Sequence, residues 1–162
     1  MQGLFSRISE ILDKEFTVYS ELLILSKKKR ALLLEKFSTE LNLIVSKEEE
    51  WVESLVPLEE DRRDIVNTLT GNPDSSIEKL IDNPECTEVI KSKIVSLSTN
   101  LKNVLTEIKQ LNQENQALLE QALELTRHSL KILTSPPKDA VYKFPGAKGT
   151  AVAPSRLIDT KI

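Results

Sequence analysis

The chain has 162 residues, 40% of them hydrophobic and only 4% aromatic, so any core must be built mainly from leucine and isoleucine. A formal charge of -3 and a pI near 5.4 point away from a nucleic-acid binder, which usually carries a basic patch or stripe. Cys86 is the only cysteine and excludes an intramolecular disulfide, no run of about 18 apolar residues offers a transmembrane helix, and the opening MQGLFSRISEILDKEF mixes charge with apolar residues unlike a signal peptide.

The first predicted helix covers residues 4 to about 36. Ile8, Ile11, Leu12, Phe16, Tyr19, Leu22, Leu23, Leu32 and Leu33 form a stripe broad enough to touch two neighbours. KFSTEL follows, where Ser38 or Thr39 can cap a new helix with Glu40 in its first turn. The spacing leaves open whether 36–39 is a tight turn or a kink. The second helix, 39 to about 70, carries Leu41, Ile44, Trp51, Leu55, Leu58, Ile65 and Leu69 at heptad spacing. Pro57 removes one of its hydrogen bonds and is expected to bend it.

TGNPDSS stops that helix: Gly71 suits a C-terminus and Pro73 cannot continue one. Ser75 and Glu78 then have the spacing of a capping box for a short helix over 75–82, which DNPE ends. The third long helix spans 87–134. Its seam steps by four and three through Ile90, Ile94, Leu97, Leu101, Val104, Ile108, Leu111, Asn115, Leu118, Ala122, Leu125, Ser129 and Ile132. Eleven of these thirteen positions are apolar, the mark of coiled-coil packing sustained over six repeats. A helix of that span is about 65 Å long at 1.5 Å per residue, which predicts an elongated molecule. Asn115 is either a register device, because a buried amide demands a partner, or a residue at a wet edge. Leu105, Leu119, Leu123, Leu130 and Leu133 are apolar residues beyond the needs of the seam.

The predicted fold is therefore all-α: an elongated antiparallel helical bundle or coiled coil of three long helices plus a short connecting one. Residues 1–134 form the helical domain. Residues 135–162 form a mostly irregular docking tail, which holds four of the seven prolines and two of the four glycines. The tail nevertheless keeps Val141, Tyr142, Phe144, Leu157 and Ile158, which a merely solubilising segment does not need.

No catalytic constellation emerges, and no metal or cofactor is expected. His128, the only histidine, sits off the seam beside Arg127 and reads as an exposed helix residue. Cys86 has no histidine near it in sequence and reads as a small structural thiol. The carboxylates of KEEEW and EEDRRD are sequence neighbours, which point apart on a helix. GAKGT lacks the spacing of a phosphate loop. KKKR, residues 27–30, suits nucleic acid or acidic lipid in isolation, but the apolar stripe continues on both sides, so a solvated face is the expected reading.

Four stretches, in order, carry a family resemblance. VYSELLILSKKKRALLLEK resembles the opening helix of the FlgN flagellar chaperones, with its Tyr-x-x-Leu-Leu-x-Leu start. STELNLIVSKEEEWVESLVPLEEDRRDIVNTL is similar to the second helix of that family, and NQENQALLEQALELTRHSLKIL to its third. VYKFPGAKG and the terminal RLIDTKI resemble its Tyr-x-x-x-Gly tail and Ile-Asp ending. The resemblance implies a non-enzymatic cytoplasmic chaperone. It would bind hook-associated proteins FlgK and FlgL, shield their assembly-prone terminal helices, and hand them to the flagellar type III export apparatus.

On that reading the partner-binding residues are Leu119, Leu123, Leu130 and Leu133, with Tyr142 and Phe144 in the tail. Self-association is left open, nucleic acid and stable membrane insertion are not expected, and a structural or tethering coiled-coil adaptor is the alternative role.

Overall fold

The computed structural model describes residues 1–35 and 39–135, which form four helices in the order α1 (Gln2–Glu35), α2 (Thr39–Thr70), α3 (Ile77–Ile81) and α4 (Glu88–Thr134). No strand occurs among the described residues, which are all-α. By the density of internal contacts it divides into two units, Met1–Thr126 and Arg127–Ile162, so the division falls within α4. The predicted irregular tail, with Tyr142 and Phe144, lies outside the described residues.

Within Met1–Thr126, the stripe on α1 faces two partners. Against α2 the chain runs antiparallel: Glu15 meets Arg62 at 3.0 Å, while further up α1 Lys29 meets Glu48 at 2.7 Å, lower on α2. α1 and α2 are therefore two antiparallel helices; residues 36–38, on which the question of a turn or a kink falls, lie outside the described residues. Against α4 the order is parallel: Lys27 pairs with Glu107 and Arg30 with Glu114.

Phe5, Ile8 and Ile94 are the most enclosed large side chains. Ile11 and Leu12 of α1, Ile65 and Val66 of α2, Leu80 of α3, Cys86, and Leu97 and Leu101 of α4 complete this core. A smaller cluster, Val18, Leu22 and Leu55, lies further along α1, with half-buried Trp51 and Ile108 against it. The aliphatic composition dictates this arrangement, since removing leucine and isoleucine from water is what holds such helices together.

The connections follow local chemistry. Gly71 adopts φ +74°, the left-handed region that closes a helix, and its N–H reaches the Asn67 carbonyl at 2.8 Å. Asn72 and Asn83 each precede a proline and accept, through Oδ1, the N–H two residues on, at 3.0 Å in both cases. The Ser75–Glu78 capping box does not form. Ser75 is held by the turn, its hydroxyl 2.9 Å from that of Thr70, and α3 starts one residue later, with extended Ser76 at its N-cap. Glu78 is held below the usual carboxylate range, first by its own backbone N–H and then by the Ser76 hydroxyl. α2 runs through Pro57 without interruption, with the ring exposed to water.

Candidate partner-docking site

Burial along α4 stops abruptly. Ile94, Leu97, Leu101, Leu111 and Asn115 are buried, and Leu118 is half-buried. From Leu119 to Ser135 every residue is exposed. The heptad seam thus outlasts the packing it predicts: Ala122, Leu125, Ser129 and Ile132 keep the spacing but not the burial.

Asn115 marks the change and settles the question its position raises. It is 3% exposed, and its Nδ2 donates to the Ser26 backbone carbonyl at 3.0 Å. Ser26 is 2% exposed, and its hydroxyl donates to Asn112 Oδ1 at 3.3 Å. This is a buried polar knot between α1 and α4, not a wet edge. A shifted register would bury these groups without partners, which costs about 1–3 kcal/mol each. Asn115 Oδ1 has no partner among the described residues, so the register carries some cost even when correct.

The KKKR segment is engaged around the same knot. Lys27 and Arg30 reach Glu107 and Glu114 of α4, and Lys29 grips both carboxylate oxygens of Glu48 at 2.7 and 2.9 Å. Three of its four cations are thus committed to inter-helix ion pairs, which weakens any reading of the run as a lipid or nucleic-acid patch.

Beyond Asn115, the apolar residues that lack cover are the predicted ones and two more. In Met1–Thr126, Leu119 is 42% exposed, Leu123 48% and Leu125 55%. In the described part of the second unit, Leu130 is 55% exposed, Ile132 62% and Leu133 80%. Isolated exposed leucines are ordinary; here three large apolar side chains lie uncovered at the end of Met1–Thr126, and three more in the described part of the second unit. Leu119, Leu123, Leu130 and Leu133 follow steps of four, seven and three, which is one helical face. Leu125 and Ile132 were counted with the seam in the sequence, and their exposure was not anticipated.

Elsewhere the polar groups neutralise one another. Two clefts of about 350 and 410 Å³ meet at Tyr19 on α1. Beside them Arg62 is tied to Glu15, whose side chain is 5% exposed. The Tyr19 hydroxyl is pushed up by burial, and then by the nearby carboxylates of Glu59 and Glu15. Glu15 is a buried acid that a reading of apolar residues alone missed. The signal was available: Ile8, Leu12, Glu15, Tyr19, Leu22 and Ser26 step by four and three, so Glu15 and Ser26 occupy seam positions. His128 is exposed, and Cys86 is buried with its thiol pushed up by desolvation. No cluster of metal-ligating residues occurs among the described residues.

A protein-family model described as FlgN protein matches residues 1–150. The chain belongs to the FlgN family. The match takes in all four helices, the exposed end of α4 included, and the family is one of flagellar export chaperones rather than of enzymes. No curated protein and no solved structure matches the chain. No helix among the described residues of this chain is long and apolar enough to cross a membrane.

Proposed function

We propose that this member of the FlgN family is a cytoplasmic chaperone for hook-associated proteins of the FlgK and FlgL type, and that the end of α4 is where it holds them. The observation that carries this reading is the run of exposed apolar residues after Asn115 on a helix whose earlier turns are well packed. An amphipathic helix of the cargo, laid along Leu119, Leu123, Leu130 and Leu133, would bury the face that otherwise pairs with its own kind during assembly. Tyr142 and Phe144 of the tail extend the contact as aromatic anchors, and residues 135–162 act as a docking segment. Delivery to the flagellar type III export apparatus follows capture.

The energetics suit a reversible holder. Burying these four leucines, three about half exposed and Leu133 largely so, gains roughly 4–6 kcal/mol before the costs of association are subtracted. That is modest, as it must be if cargo is to be released at the export gate.

Calorimetry with a C-terminal cargo helix tests the reading. Leu119→Asp, Leu123→Asp and Leu130→Asp are each expected to weaken binding by about tenfold or more, since a carboxylate cannot be buried unpaired. Helix content and unfolding midpoint should stay near those of the parent, because these side chains are already exposed. Three folded variants that all bind normally would place the cargo elsewhere.

A further inference from the structure

The charges beside the exposed strip are arranged asymmetrically. Along 119–133, Glu120 and Glu124 come first, and Arg127 and Lys131 follow. Leu119, Leu123, Thr126, Leu130 and Leu133 form a second line stepping by four and three, one residue on from the seam through Leu118, Ala122, Leu125, Ser129 and Ile132; Glu120 and Arg127 each directly follow a member of this second line and are seven apart, so they lie on the same flank. When two identical helices pair antiparallel, the same flanks of both meet. Setting Leu119 opposite Leu130 of a second copy and Leu123 opposite its Thr126 then brings Glu120 beside the second copy's Arg127. The two-fold repeats the contact, giving two ion pairs from one. Sliding by one heptad would instead place Arg127 against itself.

We propose that the exposed end of α4 pairs antiparallel with the same stretch of a second copy of this chain, in the register fixed by Glu120 and Arg127. The occupant is argued from charge complementarity: one helix supplies both halves of the match. Leu119, Leu123 and Leu130 form the apolar layers, with exposures of 42%, 48% and 55% that pairing would reduce. The chaperone then covers its own strip when no cargo is present, and cargo displaces the second copy. This last step rests on the proposed cargo reading; the self-pairing does not.

Sedimentation of the full chain across a concentration range tests it. The parent is expected to show a concentration-dependent dimer. Arg127→Glu replaces two attractions by two repulsions and should weaken self-association about tenfold. The double variant Glu120→Arg with Arg127→Glu recreates both pairs with the charges exchanged and should recover the parent's behaviour to within about threefold. A parent that stays monomeric at about 0.5 mM overturns the proposal, given what an interface of this kind should gain. So does Arg127→Glu without effect, or a double variant as weak as the single one. All variants keep the leucines. A parent chain that dimerises yet fails to bind a cargo helix therefore counts against the chaperone strip and not against the pairing.

Discussion

At the scale of single residues, Asn115 shows how one polar side chain trades stability for order. Its amide has one partner, the Ser26 carbonyl, while Oδ1 has none among the described residues. Replacing it with leucine removes a half-satisfied buried amide and adds apolar burial, at the cost of one hydrogen bond worth about 1 kcal/mol. Burial of the leucine is worth about 2 kcal/mol, so Asn115→Leu is expected to stabilise the fold by about 1–2 kcal/mol. A rise in the urea midpoint checks this; a fall would mean that shape at this position outweighs polarity. Cys86 offers a second reading at this scale. Burial raises its thiol, so the reactive thiolate is scarcer than for a free cysteine across pH 7–9. Alkylation of the native protein in that range should be slower than in urea, and equal rates would show that the thiol is open to solvent. The sign for stability follows: an acid raised on folding opposes the native state once pH climbs past the ordinary thiol value. The seam spacing revealed Asn115 as an exception but not its burial. That depends on Ser26, 89 residues away, whose hydroxyl and carbonyl no local pattern connects to it.

At the scale of elements, helix periodicity was legible and its limits were not. Apolar spacing located all four helices within a few residues, because amphipathic faces and Gly or Pro stops are local properties. The capping box failed for a non-local reason: the turn after Gly71 held Ser75 through Thr70. The KKKR run was similarly ambiguous, since its partners Glu48, Glu107 and Glu114 come from two other helices. Pro57 is the clearest test of an element in isolation. It lies inside α2, faces water, and leaves the Glu53 carbonyl without its usual intrahelical donor. Proline in a helix interior costs about 3 kcal/mol relative to alanine, while its rigidity in the unfolded chain returns about 1 kcal/mol. The helical term is the larger, so Pro57→Ala is expected to raise stability by about 1–2 kcal/mol in thermal or urea unfolding. A loss of stability would mean that α2 depends on the shape proline imposes.

At the scale of the whole molecule, the leucines and isoleucines divide into two populations with different tasks. Those in the first turns of α4, such as Ile94, Leu97 and Leu101, are enclosed by α1, α2 and α3. Those from Leu119 onward carry helical spacing too but lie exposed. Sequence alone cannot separate the two, because periodicity states which face is apolar and not what covers it. The separation has a measurable consequence. Phe5→Ala and Ile94→Ala remove enclosed side chains and are expected to cost about 3–5 and 2–5 kcal/mol respectively, enough to threaten a fold of ordinary stability. Substituting Leu119, Leu123, Leu130 and Leu133 together by serine removes more apolar atoms in total, yet little of that surface leaves water on folding. The fourfold variant is expected to unfold within about 1 kcal/mol of the parent, as surface substitutions usually do. It should also lose cargo binding and self-association together, because both are assigned to one strip. Urea unfolding, calorimetry with a cargo helix and sedimentation read the three effects on the same sample. If the fourfold variant unfolds as early as Phe5→Ala, the end of α4 is part of the folded core and cannot serve as a surface held open for partners.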